Sequence, residues 1–280
     1  MPGVRCLISL CLCLSAAPGG ADEVQENAMP ERVPDKTVVL TFDDSVKSHL
    51  TVVAPMLKEK NFGATFFVTH AWMPDAENFL SFEEIAELHR MGFEVGNHSW
   101  NHVALHEPNA GALAQNELGR VEKALADVGV PRPVSFSWPG NHFGPETLAE
   151  LRKRGYRFAR RGPQPEPPQG PVIGMGPLYD PLGNDPLLIP SAGLAVPEWT
   201  IEDFRAIVDR ARDGKIAVLQ FHGVPDGAHP YCSTPPERFR EFVDYLSREK
   251  FHVLAMRDLA RYLDPHALPN DPLAKERFFR

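Results

Sequence analysis

The sequence predicts an α/β fold built as one domain around a mostly parallel sheet. Short runs rich in β-branched and aromatic residues alternate with longer segments of helical periodicity. With 280 residues, 43% of them hydrophobic, the chain can bury one large core. Its polar motifs come directly after predicted strands, and in parallel α/β folds functional groups collect beyond the carboxyl ends of the strands. The same observations therefore predict a functional site at one edge of the sheet.

Seven strands and seven helices are predicted in near alternation. The strands are short apolar runs at residues 38–42, 64–68, 93–96, 134–138, 156–159, 216–221 and 251–255. The helices have apolar residues at three- and four-residue spacing, and Ser81 and Glu84 have the spacing of a capping box. They are predicted at residues 50–60, 81–91, 111–128, 145–154, 200–212, 236–249 and 257–263.

One long segment, residues 162–197, interrupts this alternation. It is dense in proline and glycine and lacks clear periodicity, with at most one short strand at residues 187–189. The segment is too long for an ordinary connection. Its embedded apolar residues favour an ordered loop that shapes a binding groove over a disordered linker. The whole of residues 36–264 is thus predicted to be one domain, followed by a surface tail at residues 265–280.

The N-terminus has the pattern of a secretory signal peptide. Arg5 precedes an apolar segment, and small residues extend to Ala21. We therefore predict a signal peptide at residues 1–21, an acidic linker at residues 22–35, and export to the periplasm or the cell exterior. A buried N-terminal helix is the alternative. After removal of the signal we expect no stable membrane insertion and, with Cys232 the one remaining cysteine, no internal disulfide.

Two carboxylates and three imidazoles follow strand ends. Asp43 and Asp44 come after the first predicted strand, His98 and His102 after the third, and His222 at the end of the sixth. Histidines four residues apart can present both imidazoles to one ion if they begin a helix, and a carboxylate from another strand end completes a three-ligand site. Such a site leaves positions open for water and substrate, and a second carboxylate could remove a proton from that water. The pattern predicts a hydrolase with one divalent metal.

Each of these residues, taken singly, also has a structural interpretation. Asp43 or Asp44 could cap a helix, and His98 and His102 could lie on a solvated helix face. His222 could be a buried core histidine. The metal site is favoured because all these alternatives would have to hold together at one sheet edge. Five other histidines are predicted to be structural or surface residues: His49, His70, His106, His142 and His229.

With these motifs the sequence resembles the polysaccharide deacetylases of the NodB-homology type, carbohydrate esterase family 4. The resemblance runs from residue 38 to about residue 263. It is carried by Thr41-Phe42-Asp43-Asp44, by His98-Ser99-Trp100-Asn101-His102 and by His222. It implies a partially closed or distorted (β/α)7 barrel. It also implies hydrolysis of N-acetyl groups from amino-sugar polysaccharides or oligosaccharides, such as chitin-like or peptidoglycan-like material.

The resemblance also implies a role for each motif residue. Asp43 would be the general base, and His222 the acid that protonates the leaving amine. The metal ligands would be Asp44, His98 and His102. One carboxylate and two imidazoles suit zinc, which we expect here, but also cobalt, nickel or iron. A backbone N–H in the stretch Trp138, Pro139 and Gly140 would help the metal to hold the oxyanion.

Several positions depart from the family pattern. Ser45 replaces a glycine, and Ser137 replaces an arginine that steadies the base. Arg160 or Arg161 could take over that task, since a nearby cation keeps an aspartate ionised. Gln220 replaces a leucine that lines the acetate pocket. The family's Asp-Trp motif, whose acid tunes the histidine and whose tryptophan walls the groove, has its best match at Glu198-Trp199, with Asp180 and Asp185 as alternatives.

Two other functions remain open. The same machinery could hydrolyse another amide, an imide or an acetyl ester, and Ser137 and Gln220 favour that alternative. A non-catalytic carbohydrate-binding module is less favoured, because it would be expected to have lost the base or a ligand. A carbohydrate substrate is the expected partner. A nucleic acid is not, because the formal net charge of −8 provides no basic stripe. The sequence does not indicate an oligomeric state.

Overall fold

Eight parallel strands form the sheet in the part of the chain that the structure describes. The structure is a computed structural model, and it describes residues 29–264 and 268–278. The strands run in the order β5-β4-β3-β2-β1-β7-β6, and β8 pairs with the first half of β1. The prediction of an α/β fold with a mostly parallel sheet is confirmed. The bounds are β1 (Thr37–Phe42), β2 (Thr65–Val68), β3 (Glu94–Asn97), β4 (Ser135–Ser137), β5 (Phe158–Arg160), β6 (Gly193–Leu194), β7 (Ala217–Phe221) and β8 (His252–Leu254).

Helices connect the strands and cover the outside of the sheet. The predicted capping box is present, because the Ser81 hydroxyl accepts from the Glu84 N–H and the Glu84 carboxylate accepts from the Ser81 N–H. The predicted last helix is a 3₁₀ segment, Met256–Tyr262, rather than an α-helix. The α-helices are α1 (Ala54–Glu59), preceded by a π-helical turn at His49–Val53, α2 (Phe82–Arg90), α3 (Ala110–Asp127), α4 (Pro145–Lys153), α5 (Ile201–Val208) and α6 (Pro236–Arg248).

The sheet curls into a barrel wall because residues 186–195 bond to strands on both sides. On one side, the Arg161 N–H donates to the Ile189 carbonyl at 2.8 Å. On the other side, the Ala192 N–H donates to the Val218 carbonyl at 2.7 Å. The expectation of a distorted (β/α)7 barrel is confirmed. The second half of the long segment at residues 162–197 is therefore part of the barrel wall.

Alternation along the strands determines which side chains enter the barrel. In β1, Val38, Leu40 and Phe42 pack in the largest hydrophobic cluster, which they share with the helices. Val39 packs instead in a separate cluster with inward-facing residues of β2, β5 and β7. The same two-residue period carries Asp43, directly after β1, to the inner side of the barrel. The site is thus placed at the carboxyl ends of the strands.

Residues 268–278 pack on the body of the protein, whereas the sequence predicted a surface tail. Asp271 is buried and accepts the Asp185 N–H at 3.0 Å. Phe278 stacks on Phe143 with ring centroids 5.6 Å apart, and the Phe278 N–H donates to the Phe143 carbonyl at 2.9 Å. Two consecutive phenylalanines between charged residues have no helical or strand periodicity, so only the tertiary contacts identify this docking.

The predicted signal peptide lies outside the described residues. Of the predicted acidic linker, residues 29–35 are described, and they pack on the barrel: Val33 is buried and the Glu31 N–H donates to the Arg261 carbonyl at 2.9 Å. Among the described helices, none has the length and apolar character needed to cross a membrane.

We expect Phe278→Ala to destabilise the protein, because it removes the stacked ring that attaches the C-terminal segment to Phe143. The free energy of unfolding should fall by about 1–3 kcal/mol, the range for loss of a partly buried aromatic side chain. Chemical denaturation monitored by tryptophan fluorescence measures this. Leu268→Ala is the matched control, since Leu268 lies in the same segment but is 64% exposed. Equal stability of the two variants would contradict the docking.

Candidate metal site

The chain turns sharply after β1, and this turn presents Asp43 and Asp44. Asp44 and Ser45 both have left-handed backbone, with φ of 79° and 59°. Such angles are uncommon for non-glycine residues and often mark functional sites. The Ser45 hydroxyl bonds to both the N–H and the carbonyl of Thr69, each at 3.1 Å. These bonds explain how serine is held where the family has glycine.

His98 and His102 lie on a loop after β3, whereas the sequence analysis required that they begin a helix. Ser99 and His102 have φ of 62° and 51°, which no helix contains. The loop is held by Glu117 of α3, whose carboxylate accepts the backbone N–H and the side-chain amide of Asn101, each at 2.7 Å. The two imidazoles therefore converge through a clamped loop and not through helical periodicity.

Asp44, His98 and His102 bring three ligand atoms together within 4.8 Å of one another. The Asp44 Oδ1 atom lies 3.4 Å from His98 Nε2 and 3.7 Å from His102 Nε2. Ligands about 2.0–2.2 Å from a tetrahedral ion lie roughly 3.3–3.6 Å apart, so these spacings fit one divalent cation. Asp44 Oδ1 is buried and has no hydrogen-bond partner among the described residues. An acceptor in that position is suited to a cation.

The protonation of His98 also fits a metal ligand. Its Nδ1 atom lies 2.8 Å from the Ser137 carbonyl, which can only accept, so Nδ1 carries the proton. The Nε2 lone pair then points at Asp44. This arrangement, in which one ring nitrogen is fixed by a carbonyl, is usual for histidines that ligate metals. The residues present therefore fit a divalent metal, and their donor set does not select one ion among zinc, cobalt, nickel and iron.

Asp43 lies beside this ligand set and is bound by other side chains through one oxygen. Its Oδ2 atom accepts from the Arg160 guanidinium, in a contact buried on both sides, and from the Gln220 amide at 3.2 Å. Arg160 also donates to the Ser137 hydroxyl and to the Ser191 hydroxyl, the latter at 3.2 Å. Asp43 Oδ1 is buried and has no hydrogen-bond partner in the described structure. One oxygen is thus fixed and the other is available.

Ser137 and Arg160 are register partners in the adjacent strands β4 and β5. Their side chains therefore project to the same side of the sheet. The cation that the family places on the earlier strand is supplied here from the next strand, and Ser137 accepts a hydrogen bond from it. This geometry supports Arg160, rather than Arg161, as the replacement.

The charges around the two aspartates determine their ionisation. Burial alone would raise the pKa of Asp43, but the Arg160 guanidinium and the His98 and His222 imidazoles outweigh it and lower the pKa. Burial also opposes ionisation of Asp44, yet the neighbouring imidazoles of His98, His222 and His102 bring its pKa far below the usual range. Both carboxylates are therefore ionised at neutral pH, and the site attracts a cation.

His222 directly follows β7. Its Nε2 atom lies 3.8 Å from Asp44 Oδ2. Its backbone is fixed by His49, whose Nε2 lies 3.1 Å from the His222 carbonyl, and by Ser48, whose hydroxyl accepts the Val224 N–H at 2.7 Å. His49 is fully buried, and burial lowers its pKa to about 4, so it is neutral at physiological pH. The sequence analysis assigned His49 no role beyond structure, and only the tertiary contacts reveal this one.

No carboxylate bonds to the other ring nitrogen of His222 among the described residues. Asp180 accepts backbone N–H groups of its own turn, and Asp185 pairs with Arg152. Glu198 is exposed and its neighbour Trp199 is buried, with the indole N–H bonded to the Ile173 carbonyl at 2.8 Å. Trp199 therefore does not wall a groove as the Asp-Trp motif would require. Its ring lies in the core, where it packs against Gly193 and Phe221.

The contacts of Arg161 and Trp138 differ from those that the sequence analysis allowed. Arg161 is directed away from Asp43 and holds the long segment, through Glu166 and the carbonyls of Leu188, Gly162 and Gln164. Trp138 is fully buried, with its indole N–H bonded to the Leu187 carbonyl at 3.0 Å, so its ring is not exposed to a substrate. Its backbone N–H donates to the Arg160 carbonyl at 3.0 Å and is occupied.

Comparison with known proteins identifies the motif-bearing part of the chain. The family model described as polysaccharide deacetylase matches residues 31–159, just under half of the chain. Over these residues the chain matches the polysaccharide deacetylase model, in agreement with the family resemblance that the motifs indicated.

Two curated relatives and one solved structure resemble this chain. The peptidoglycan-N-acetylglucosamine deacetylase PgdA of Listeria monocytogenes is 32% identical over 100 residues, 35% of this chain and 20% of that protein. The poly-beta-1,6-N-acetyl-D-glucosamine N-deacetylase of Escherichia coli is 27% identical over 138 residues, 44% of this chain and 18% of that protein. The chain thus spans about a fifth of the length of either relative.

The solved structure is a family 4 acetyl xylan esterase from Clostridium thermocellum in complex with a cobalt ion. It has a TM-score of 0.53 and 21% sequence identity, and the match covers 80% of this chain and 90% of that one. The likeness agrees with the fold described above.

We expect Glu117→Ala to weaken metal binding, because Glu117 fixes the loop that carries His98 and His102. Loss of a residue that orients ligands commonly lowers metal affinity about 10- to 100-fold. Competition with a chromophoric chelator measures the affinity for zinc and cobalt. Asp127→Ala is the control, since Asp127 is an exposed carboxylate on the same helix, paired only with Lys123. Unchanged affinity in Glu117→Ala would show that the loop holds its shape without the clamp.

Proposed function

We propose that this protein is a metal-dependent deacetylase that removes N-acetyl groups from amino-sugar polymers or oligomers. The observation that carries the proposal is the pairing of a three-ligand metal site with an ionised carboxylate, Asp43, that has one oxygen fixed and the other free. The match of residues 31–159 to the polysaccharide deacetylase model supports this chemistry. The two curated relatives are named for deacetylation of peptidoglycan N-acetylglucosamine and of poly-N-acetylglucosamine, which supports the substrate class.

The metal would be held by Asp44, His98 and His102, with zinc as our first expectation. When bound, it would lower the pKa of a water in the site and polarise the acetamide carbonyl. The cobalt ion in the similar esterase structure supports a divalent ion of this class.

Asp43 is proposed as the general base. Arg160 and Gln220 hold its Oδ2 atom, so Oδ1 is the atom that takes the proton from the attacking water. The lowered pKa of Asp43 keeps it ionised and ready to accept that proton. A base that is held in place needs no reorganisation during the reaction.

His222 is proposed as the general acid. Its backbone is fixed by His49, and its Nε2 atom lies on the ligand side of the site, 3.8 Å from Asp44. Breakdown of the tetrahedral adduct breaks the C–N bond, and a proton from His222 converts the departing nitrogen into a free amine. Acetate is the other product. The net reaction consumes one water per acetyl group.

The developing oxyanion needs a donor in addition to the metal. In the stretch that the family resemblance indicates, the Trp138 N–H is occupied and Pro139 has none. We therefore propose the Gly140 N–H. Gly140 has φ of 60°, a conformation that favours glycine and turns the backbone at the rim of the site.

In the sequence, Ser137 and Gln220 favoured another amide, an imide or an acetyl ester as the substrate. The hydrogen bonds of these two residues weaken that argument. Both residues belong to the hydrogen-bonded network around Asp43, through Arg160 and directly. Their departure from the family pattern is thus explained by the displaced arginine and does not require a different acyl group. Hydrolysis of another amide, an imide or an acetyl ester is tested by the same experiment, as is the non-catalytic binding module.

Export is part of the proposal. It is supported by the charged, apolar and small-residue order of residues 1–21 and by the cell-wall substrate named for the Listeria relative. A periplasmic or extracellular location would bring the site into contact with such polymers.

The decisive experiment measures acetate release from chitooligosaccharides and from peptidoglycan fragments. The protein is stripped with a chelator and then reloaded with zinc or cobalt. Release that is lost on stripping and restored on reloading is the expected result. Release from acetylated xylan or from a small amide alone would favour the alternative substrates. Sugar binding without any turnover in the reloaded protein would favour the binding module.

Two substitutions separate the base from the ligands. Asp43→Asn should lower kcat by about 10²- to 10⁴-fold with bound metal unchanged, because only proton removal is lost. His98→Ala should lose metal and activity together. Metal content by mass spectrometry of the purified protein accompanies the kinetics.

His222→Ala should lower kcat with metal retained. Loss of metal in this variant would make His222 a ligand and contradict its role as the acid.

Arg160 is tested by moving its charge to the neighbouring strand. Arg160→Met should lower kcat by about 100-fold or more and destabilise the protein by about 3–5 kcal/mol, because a buried carboxylate loses its partner. The double change Ser137→Arg with Arg160→Ser returns the guanidinium from the register partner and should restore part of both. Arg161→Met is the control for catalysis, since Arg161 does not contact Asp43. A double variant no better than Arg160→Met would contradict the exchange.

A further inference from the structure

Three aromatic side chains form a continuous strip that begins at a metal ligand and ends in solvent. The Trp72 ring lies 4.8 Å from the His102 ring and 5.1 Å from the His229 ring, measured between centroids. The His229 ring lies 6.0 Å from the Tyr231 ring. We call Trp72, His229 and Tyr231 the aromatic strip. Trp72 comes from the loop after β2, and the other two come from the loop after His222.

Tyr231 is the exposed end of the strip. Its relative exposure is 75%, which is unusual for a large aromatic residue held on an ordered turn. The pKa of its hydroxyl is raised, first by partial desolvation and further by Cys232, Asp44 and Asp226, so its ring lies within electrostatic reach of the metal site. An exposed ring beside a candidate catalytic site is suited to contact with a ligand.

The turn that carries Tyr231 is anchored at both ends. Before it, the buried Asp226 carboxylate accepts the N–H groups of Ala228 and His229 at 3.1 and 2.8 Å. After it, Cys232 is buried and the Thr234 N–H donates to the Gly223 carbonyl at 3.0 Å. Phe79, itself buried, stacks beneath Trp72 at 5.9 Å. The exposure of Tyr231 is therefore built into the fold, and a ligand meets a preorganised ring.

A pyranose ring has an apolar face of C–H groups and a rim of hydroxyl groups. An aromatic ring with a polar tip matches both, since its face packs on the C–H groups and its hydroxyl remains at the wet edge. A small amide or a single acetylated unit in the metal site would not extend to Tyr231 along the strip. The strip thus suits a substrate with further sugar units next to the one that reacts.

We propose that the aromatic strip is a binding subsite for the sugar unit next to the one that loses its acetyl group, with Tyr231 as its outer contact. The proposal rests on the proposed function and deepens it. It makes the protein selective for chains of N-acetylated sugars over monomers and small amides.

The test compares Tyr231→Ala with Tyr231→Phe and with Leu268→Ala, a matched control at an apolar residue that is 64% exposed in the C-terminal segment. Acetate release is measured on N-acetylglucosamine and on its oligomers of increasing length. Tyr231→Ala should raise KM about three- to tenfold for the longer oligomers, with kcat and the monomer reaction unchanged. Tyr231→Phe should retain most of the affinity because its ring is intact. Leu268→Ala should behave as wild type.

An equal loss on the monomer and on all oligomers, or no loss on any, would overturn the subsite. Calorimetric binding of the same oligomers to Asp43→Asn, with and without Tyr231→Ala, gives a readout that does not need turnover. If wild type releases no acetate from any of these sugars but the oligomers bind and Tyr231→Ala weakens them, the proposed function fails and the subsite stands. If acetate is released normally while binding ignores Tyr231, the function stands and the subsite is wrong.

Discussion

The buried ion pair between Asp43 and Arg160 is the interaction on which the site depends. The two side chains are 1% and 0% exposed, and they join the end of β1 to β5 across the barrel. Removing a carboxylate from water is costly, and only a close counter-charge with further hydrogen bonds makes it tolerable. Gln220 from β7 and Ser191 from the closing segment supply those bonds. One polar network therefore fixes the Asp43 carboxylate and connects β1, β5, β7 and the closing segment.

The ligand residues lie on backbone that is strained and then restrained. Asp44, Ser45, Ser99 and His102 all have left-handed φ, which side chains other than glycine adopt at a cost of roughly 1–3 kcal/mol each. These turns are held by the Thr69 carbonyl, which accepts from the Ser45 hydroxyl, and by the Glu117 carboxylate, which accepts from the Asn101 N–H. The left-handed turns bring the ligand atoms of Asp44, His98 and His102 within 4.8 Å of one another, whereas a regular helix or strand would separate them. These turns are therefore locally unfavourable, and they produce an arrangement of ligand atoms that suits a cation.

The long proline-rich segment has two distinct structural parts. Its first part is held by Arg161, which bonds to the carbonyls of Gly162 and Gln164 and to the Glu166 carboxylate. Its second part completes the barrel wall between β5 and β7 and delivers Ser191 to the network around Asp43. The proline content is compatible with this role because the segment makes selected backbone bonds and not a regular ladder. Closure of the barrel and support of Asp43 thus come from the same segment.

The sequence by itself determined the alternation of elements, the parallel sheet and the five motif residues at its edge. These follow from local patterns: strand and helix periodicity, a capping box, and polar residues directly after apolar runs. What it could not decide was which of Arg160 and Arg161 reaches Asp43, because consecutive strand residues point to opposite faces and the register of β5 against β4 selects one. Tertiary structure also decided that Trp199 is core, that Trp72 lies beside His102, and that His49 and Glu117 hold the loops. Each of these depends on contacts between residues far apart in the chain, and no local pattern of residue types encodes such a contact.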